Sequence, residues 1–417
     1  MEQVLDLHIH SRYSRACSPS LTLANIDKTC RLKGIDIIAT GDFTYPAWFA
    51  AIKEELIETA TGSGLYRLKT APDDKVKFIL STEVSLIYKD AGKVRRLHIV
   101  IHGPDIKAVE KLNKILDKKF NIRSDGRPIL GTSAPELVKL VLNVDPRFLI
   151  YPAHIWTPWF SVFGSKSGFD SLTECFKDQT KHIYAVETGL SSDPAMNWRL
   201  SALDKLTVLS NSDAHSLANL GREANIMEIS TPVTYQKIYD NIKNKRGLKE
   251  TIEFYPEEGM YHFDGHRDCR FSCEPEESRR LKNICPICKK PLVIGVLNRV
   301  DDLADRPVGF RPQNAIPFKK TVELDKIIAE ASNIKSRSSF AVQKRYQELI
   351  DEFGNELFIL LKLDLSPAKD RIDPRIIEGI SRVRSGRLII KPGFDGEYGK
   401  INIFSAADRT NKQTSLW

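Results

Sequence analysis

The chain has 417 residues, 41% of them hydrophobic and 28% charged, with a net charge of +8. That length allows two or three domains and at least one sizeable core. No apolar run approaches the ~18–20 residues of a membrane span and no basic-then-apolar leader suggests secretion, so a cytoplasmic monomer without membrane attachment is expected, and the positive balance leans towards a polyanionic partner.

The first element is "VLDLHIHSRYS" (Val4–Ser14). Its Leu5, Leu7 and Ile9 alternate with Asp6, His8 and His10, so the strand period puts three polar groups on one face. Further apolar runs at 34–42, 76–84, 96–104, 147–154, 182–189 and 206–215 read as strands. Helix-like stretches at 22–33, 106–118, 134–143 and 234–245 separate them, which predicts a parallel α/β fold over 1–250. Nearly every run ends in an ionisable group: Asp42, Glu83, His98, His154, Glu187, then Asp213 and His215. A closed parallel barrel gathers all strand C-termini at one face. An open doubly wound sheet would spread them along an edge and bring a Gly-rich phosphate loop after the first strand; there is none. The expectation is a distorted barrel of about seven β/α units. Mixed imidazole and carboxylate ligands suit zinc, manganese or iron. A carboxylate such as Glu83 can bridge two ions, an arrangement suited to activating water and clamping a phosphoryl group.

From 256 to 310 the chain is loop-rich and holds Cys269, Cys273, Cys285 and Cys288. Such a cluster in a cytosolic chain reads as a metal site rather than a disulfide framework. Cys285-Pro-Ile-Cys288 is a zinc knuckle. Its two partners come from Cys269, Cys273, His262 and His266: Cys269-x3-Cys273 would give four thiolates, whereas His266-x2-Cys269 repeats the knuckle's gap. Residues 311–404 read as a helical domain, with helices at 321–332, 336–353 and 374–384, and 405–417 as a flexible tail. Arg382, Arg384, Arg387 and Lys391 surround a Gly-punctuated turn, a pattern suited to phosphate oxygens. Near the barrel mouth Trp156, Trp159 and Phe160 follow His154, and aromatics there suit stacking on a base. Ser191, Asn211 and Trp156 are the expected base pocket.

"DLHIHSRYS", "STEVS", "YPAHIWTPW" and "SNSDAHS" resemble the motifs of the PHP (polymerase and histidinol phosphatase) superfamily, whose members are distorted seven-unit barrels holding up to three metals. With "ATGDFTYPAW", "ETGLSSDPAMNWRLS", "SNSDAHSLANLGREAN", the zinc segment and "IKPGFDGEYG", nearly the whole chain is similar to the endonuclease Q family. The resemblance implies that His8, His10, Glu83 and Asp213 hold one ion and that Glu83, His98 and His154 hold a second. Asp42 and His215 would help with a third, and Asp213, Asp42 and Glu83 would be the catalytic carboxylates. It implies two or three divalent ions (zinc, manganese or magnesium) in the active site. It also favours His266 with Cys269, Cys285 and Cys288 for one structural zinc. The chain departs from the family pattern at Tyr45, where a histidine is expected. Asp6 is expected to orient a histidine from behind; His102 and His182 match nothing and read as structural. The function implied is a metal-dependent DNA repair endonuclease cutting on the 5′ side of deaminated bases (hypoxanthine, uracil, xanthine) and abasic sites. The competing expectations are a histidinol-phosphatase-like enzyme and a catalytically dead barrel that binds DNA. The tail "QTSLW", through Gln413, Leu416 and Trp417, resembles the peptide by which bacterial repair proteins dock on the sliding clamp.

Overall fold

The computed structural model describes residues 1–405, 407 and 408; the tail residues Gln413, Leu416 and Trp417 lie outside them. The first strand, Glu2–Asp6, pairs in parallel with Ile37–Ala39, which pairs in parallel with Lys77–Ile79. Backbone hydrogen bonds then pass round a ring. Ser81–Asp90 and Lys93–His102 form a long hairpin, and Lys93–His102 pairs with Leu149–Pro152. Ile155 N–H donates to Glu187 O at 3.0 Å, leading into the parallel pair Ala185–Glu187 and Thr207–Leu209. The ring returns to its start where Asp213 N–H donates to His8 O (2.9 Å) and Ile9 bridges Ala214. Leu5, Leu7 and Ile9 are buried in the hydrophobic core on the face opposite His8 and His10, because alternation continues past the regular strand and leaves the two histidines facing one shared space.

Two features differ from the expected all-parallel alternation. The hairpin 81–102 is antiparallel, and so is its pairing to Leu149–Pro152. Its cause is local: Ala91 and Gly92 both have positive φ (47° and 77°), the two-residue turn whose twist matches antiparallel strands. On the other side Glu2–Asp6 pairs antiparallel with Ala224–Glu228, and an arm continues through Leu248–Glu253 to Phe318–Lys320. The arm reaches a second core built from Leu324, Ile327, Ile328, Val342, Ile359, Ile376, Ile380 and Phe404. There the helices Leu324–Ala331 and Pro374–Arg384 approach so closely that a Cβ on Gly379 would sit 2.7 Å from Ile327 Cγ2. Between the two cores, the small hairpin Asp264–His266/Phe271–Cys273 carries the cysteine segment.

Where arm meets barrel, Glu223 and Glu253 are fully buried, each with one carboxylate oxygen lacking a hydrogen-bond partner. Burial, with Asp193 adding to it, pushes Glu253 up to about 8, and burial with the Glu253 charge pushes Glu223 well above the carboxylate range. An acid whose folded pKa is raised stabilises the fold fully below its unfolded pKa, and that contribution disappears as pH rises through the folded value. The protein should therefore lose stability as pH rises from the ordinary carboxylate range through about 8, where Glu253 ionises in the fold. Glu253→Gln should flatten that part of the pH–Tm curve, as thermal melts across the window will read; an unchanged slope would refute the assignment.

Candidate metal centre

Five ring segments bring their ends to one point. His8, His10 and Asp213 form one group whose ligand atoms lie within 4.8 Å of each other, and Glu83, His98 and His154 form another. Glu83 stands between them: its Oε1 is 2.9 Å from His98 Nδ1, 3.3 Å from His154 Nε2 and 3.7 Å from His8 Nε2, and its Oε2 is 3.4 Å from His10 Nε2. Asp213 Oδ1 is 3.1 Å from His10 Nε2 and 3.8 Å from His8 Nε2.

The rings are aimed from behind. His8 Nδ1–H donates to Glu187 at 3.0 Å, and His10 Nδ1–H to Asp42 Oδ1 at 3.1 Å. Each carboxylate fixes the tautomer that leaves Nε2 with its lone pair towards the centre. Asp42 is held in turn by the hydroxyls of Ser11 (2.6 Å) and Ser14 (2.8 Å), and Asn211 Nδ2 donates to Glu187 (3.2 Å). Asp42, His154 and Asp213 all have positive φ (46°, 29° and 46°), a conformation that non-glycine residues keep only where surroundings over-determine it.

These donors fit divalent cations. His8 Nε2, His10 Nε2, Glu83 Oε1 and Asp213 Oδ1 are buried without hydrogen-bond partners, a costly state for polar atoms unless an ion sits among them. The electrostatics agree. Burial opposes charge on Glu83, yet His98, Arg127 and His8 hold its carboxyl well below the usual range. Burial also works against charging His8, yet Glu187 and Glu83 raise it to about 9. The cavity wants positive charge, and imidazoles suit zinc, manganese or iron. Asp42 and His215 lie at the same mouth but belong to neither group: Asp42 is engaged as above, and His215 Nδ1 faces the Asp213 carbonyl at 2.9 Å. Tyr45 stacks on Tyr13 with ring centres 4.7 Å apart.

Several expected roles change. Asp6 orients no histidine; it accepts the backbone N–H groups of Ser212 and Gly221 (3.1 and 2.9 Å), tying the 209–221 segment to the first strand, while Glu187 does the orienting. Trp156 is core, 1% exposed, with its indole N–H on Asn197 Oδ1 at 2.8 Å. Asn211 is likewise spent inside, bonded to Glu187 and Leu7 N, whereas Ser191 is half-buried beside Gly259. Trp159, edge-on to Tyr261 at 5.4 Å, and Tyr398 are exposed. Arg382 pairs with Glu378 and Asp408, and Arg384 donates to the carbonyls of Ile359, Leu360 and Leu363, so both are anchors of the helical unit. Arg387 and Lys391 are exposed. Other cations line the approach: a cleft of about 850 Å³, which also carries Glu258, Glu323 and Glu330, runs from Asp213 and His215 to Arg222, Lys326, Lys335 and Lys400.

In the cysteine segment the ligand atoms of His266, Cys269, Cys285 and Cys288 lie within 4.8 Å of each other. Backbone N–H groups of Cys288 and Ile287 lower the Cys285 thiol against the effect of burial, as a thiolate ligand in a knuckle requires. Cys273 lies outside that group, buried in a small cluster with Leu292. His102 bonds Tyr151 Oη at 3.1 Å, a core contact.

Comparison with known proteins gives five likenesses. Residues 323–387 match the family described as the MJ0043 C-terminal domain. The uncharacterised protein MJ0043 of Methanocaldococcus jannaschii is 33% identical over 255 residues, 59% of this chain, which spans only 31% of that protein's length. The uncharacterised YqxK of Bacillus subtilis is 28% identical over 95% of this chain and 98% of its own. Among solved structures, the lesion-specific endonuclease PfuEndoQ from Pyrococcus furiosus superimposes with a TM-score of 0.84 at 30% identity over 100% of both chains. An endonuclease Q complexed with a 27-mer duplex carrying an abasic lesion at its active site gives 0.84 at 31% over 98% of both. On this identity, kept from end to end, the chain belongs to the endonuclease Q family.

Proposed function

We propose that the protein is a metal-dependent DNA repair endonuclease that hydrolyses the phosphodiester on the 5′ side of an abasic site or a deaminated base (hypoxanthine, uracil, xanthine). The observation that carries the reading is the pair of ligand groups sharing Glu83, one of which reaches a cleft through Asp213, in a chain similar throughout to a protein solved with an abasic duplex. His8, His10, Glu83 and Asp213 would hold one divalent ion and Glu83, His98 and His154 a second, and such ions would supply Lewis acidity towards water and phosphate. The chain supplies the rest. Glu187 and Asp42 hold the imidazoles in register, and Asp213 closes one ligand group through Oδ1, which is buried without a hydrogen-bond partner. Lys335 and Lys400, which have no ion pair among the described residues, fit the sugar–phosphate backbone of a strand entering the cleft. Tyr398, exposed and lining that cleft, offers a stacking face there. A lesion opens more cheaply than an intact pair, which gives selectivity before any chemistry.

The test is to incubate the protein and manganese or magnesium with end-labelled duplexes carrying hypoxanthine, uracil, xanthine or an abasic site, and to map the cut. Cleavage one bond 5′ of the lesion is expected, with undamaged duplex left intact. An uncut panel would sink the proposal, and turnover of a chromogenic phosphomonoester in its place would move the protein to the small-molecule phosphatases.

A further inference from the structure

A loop that carried no motif crosses the barrel mouth between the helix Ile106–Lys119 and the short strand Ile129–Leu130. It is fixed on both sides of Arg127. Gly126 N–H donates to Tyr13 O at 3.0 Å, and the Gly126 carbonyl accepts from Thr44 Oγ1 at 3.4 Å. Asp125 Oδ1 accepts the backbone N–H of Arg127 at 2.9 Å, and Ile129–Leu130 pairs with the hairpin strand that carries Glu83. A Cβ at position 126 would overlap Asp42 Oδ2 and Ser14 Oγ, so only glycine lets the loop lie this close to the ligand carboxylates.

From that seat Arg127 Nη1 reaches Glu83 Oε2 at 3.1 Å. No other arginine or lysine among the described residues ion-pairs with Glu83, Asp213 or Asp42. The side chain is 23% exposed, and its Nε and Nη2 have no protein partner among the described residues, so these donors open onto the mouth. Such a cation is a poor neighbour for dications: the Glu83 charge it meets is the one those ions would take, and a fixed positive charge beside them is repulsive. The arrangement becomes favourable when an anion lies between, and a planar guanidinium with spare N–H donors matches phosphate oxygens.

We propose that Arg127 is a catalytic residue that binds a non-bridging oxygen of the scissile phosphate through its Nε/Nη2 edge and stabilises the charge gathering there in the transition state. This rests on the endonuclease reading above. It is tested first without added metal. Wild type and Arg127→Gln, both kept free of added divalent cations and matched for retained structural zinc, are titrated with abasic duplexes carrying either a normal phosphodiester or a neutral methylphosphonate at the scissile position. Wild type should lose about tenfold in affinity on the swap, as for a charged hydrogen bond. Arg127→Gln should lose about tenfold on the normal duplex and nothing more on the methylphosphonate. With metal added, single-turnover cleavage by Arg127→Gln should fall about 10²–10³-fold at unchanged metal content.

Additive losses in the binding cycle would overturn the proposal. So would a variant whose only defect is lost metal, because Arg127 would then merely shape Glu83. Wild-type cleavage of the abasic duplex is run in parallel. If wild type leaves it uncut, the endonuclease reading fails; if wild type cuts it but the cycle is additive, the Arg127 assignment alone fails.

Discussion

Glu83→Gln should reduce lesion cleavage by at least about 10³-fold, equivalent to roughly 4 kcal/mol of lost transition-state stabilisation, while DNA affinity changes only a few-fold. Among the described residues Glu83 is the one carboxylate in reach of both ligand groups, within 3.7 Å of His8, His10, His98 and His154 and 3.1 Å from Arg127. An amide keeps the volume but removes the charge that balances four imidazoles and a guanidinium. Metal content should fall in both groups together, by elemental analysis of the purified variant. Asp213→Ala, at the edge of one group only, should abolish nicking while retaining ions at Glu83, His98 and His154. The failing outcome is a Glu83→Gln enzyme that cuts at the wild-type rate, or one that keeps its full metal complement. Lost DNA binding in a still-folded variant would also count against the scheme, since the cleft cations at Lys335 and Lys400 lie on the other wall.

How far this centre could be read from sequence follows from how local each signal is. His8 and His10 declare themselves because a strand's period of two puts both on one face, and the other ligands declare themselves because each ends an apolar run. Glu187 also ends a run, but nothing in its neighbourhood says that it backs His8 rather than binding an ion; that depends on a contact 179 positions away. Arg127 is less legible still. Its loop has no periodicity, and its place is set by backbone hydrogen bonds to Tyr13 and Thr44 from distant segments. The misreadings share one physical cause, namely that residue type states what a side chain can do and not where its partner is. Trp156 follows a ligand and could stack on a base, but Asn197 and Phe163 take it inward. Arg384 sits in a basic turn, but the open carbonyls at the end of the helix Glu356–Leu361 need donors and lie nearer than any phosphate. The hairpin 81–102 was legible in principle, since Ala-Gly between strand-like runs is a turn signal of only two residues.

Cys285→Ser should release the stretch from the hairpin at 264–273 to the knuckle at 285–288 from its fold, because little but the ion orders it; the helix that follows stays on the barrel through Val296 and Val300, which belong to the barrel core. The stretch's own apolar cluster is Cys273, Cys285 and Leu292 with partly buried Cys269, Phe271 and Cys288, far too small to offset the entropy of ordering roughly thirty residues. Ion binding in such modules contributes about 10–16 kcal/mol at neutral pH in isolated zinc-finger peptides. The variant should lose one equivalent of zinc and become open to proteolysis within the segment, while the barrel core, which shares no residue with that cluster, keeps its own melting transition. Cys273→Ser is the contrasting variant and should keep its zinc. The consequence should reach the cleft. Phe263 bridges Phe394, and Arg267 N–H donates to Asp395 Oδ2 at 2.6 Å, so the segment carries the loop whose Tyr398 and Lys400 line the passage to Asp213. Releasing it should weaken binding of lesion duplex about tenfold or more, as expected when one or two charged or stacking contacts lose their positions. Unaltered zinc content and protease resistance in Cys285→Ser would remove this coupling. So would zinc loss from Cys273→Ser, because the four ligands would then include the thiol that lies outside the cluster.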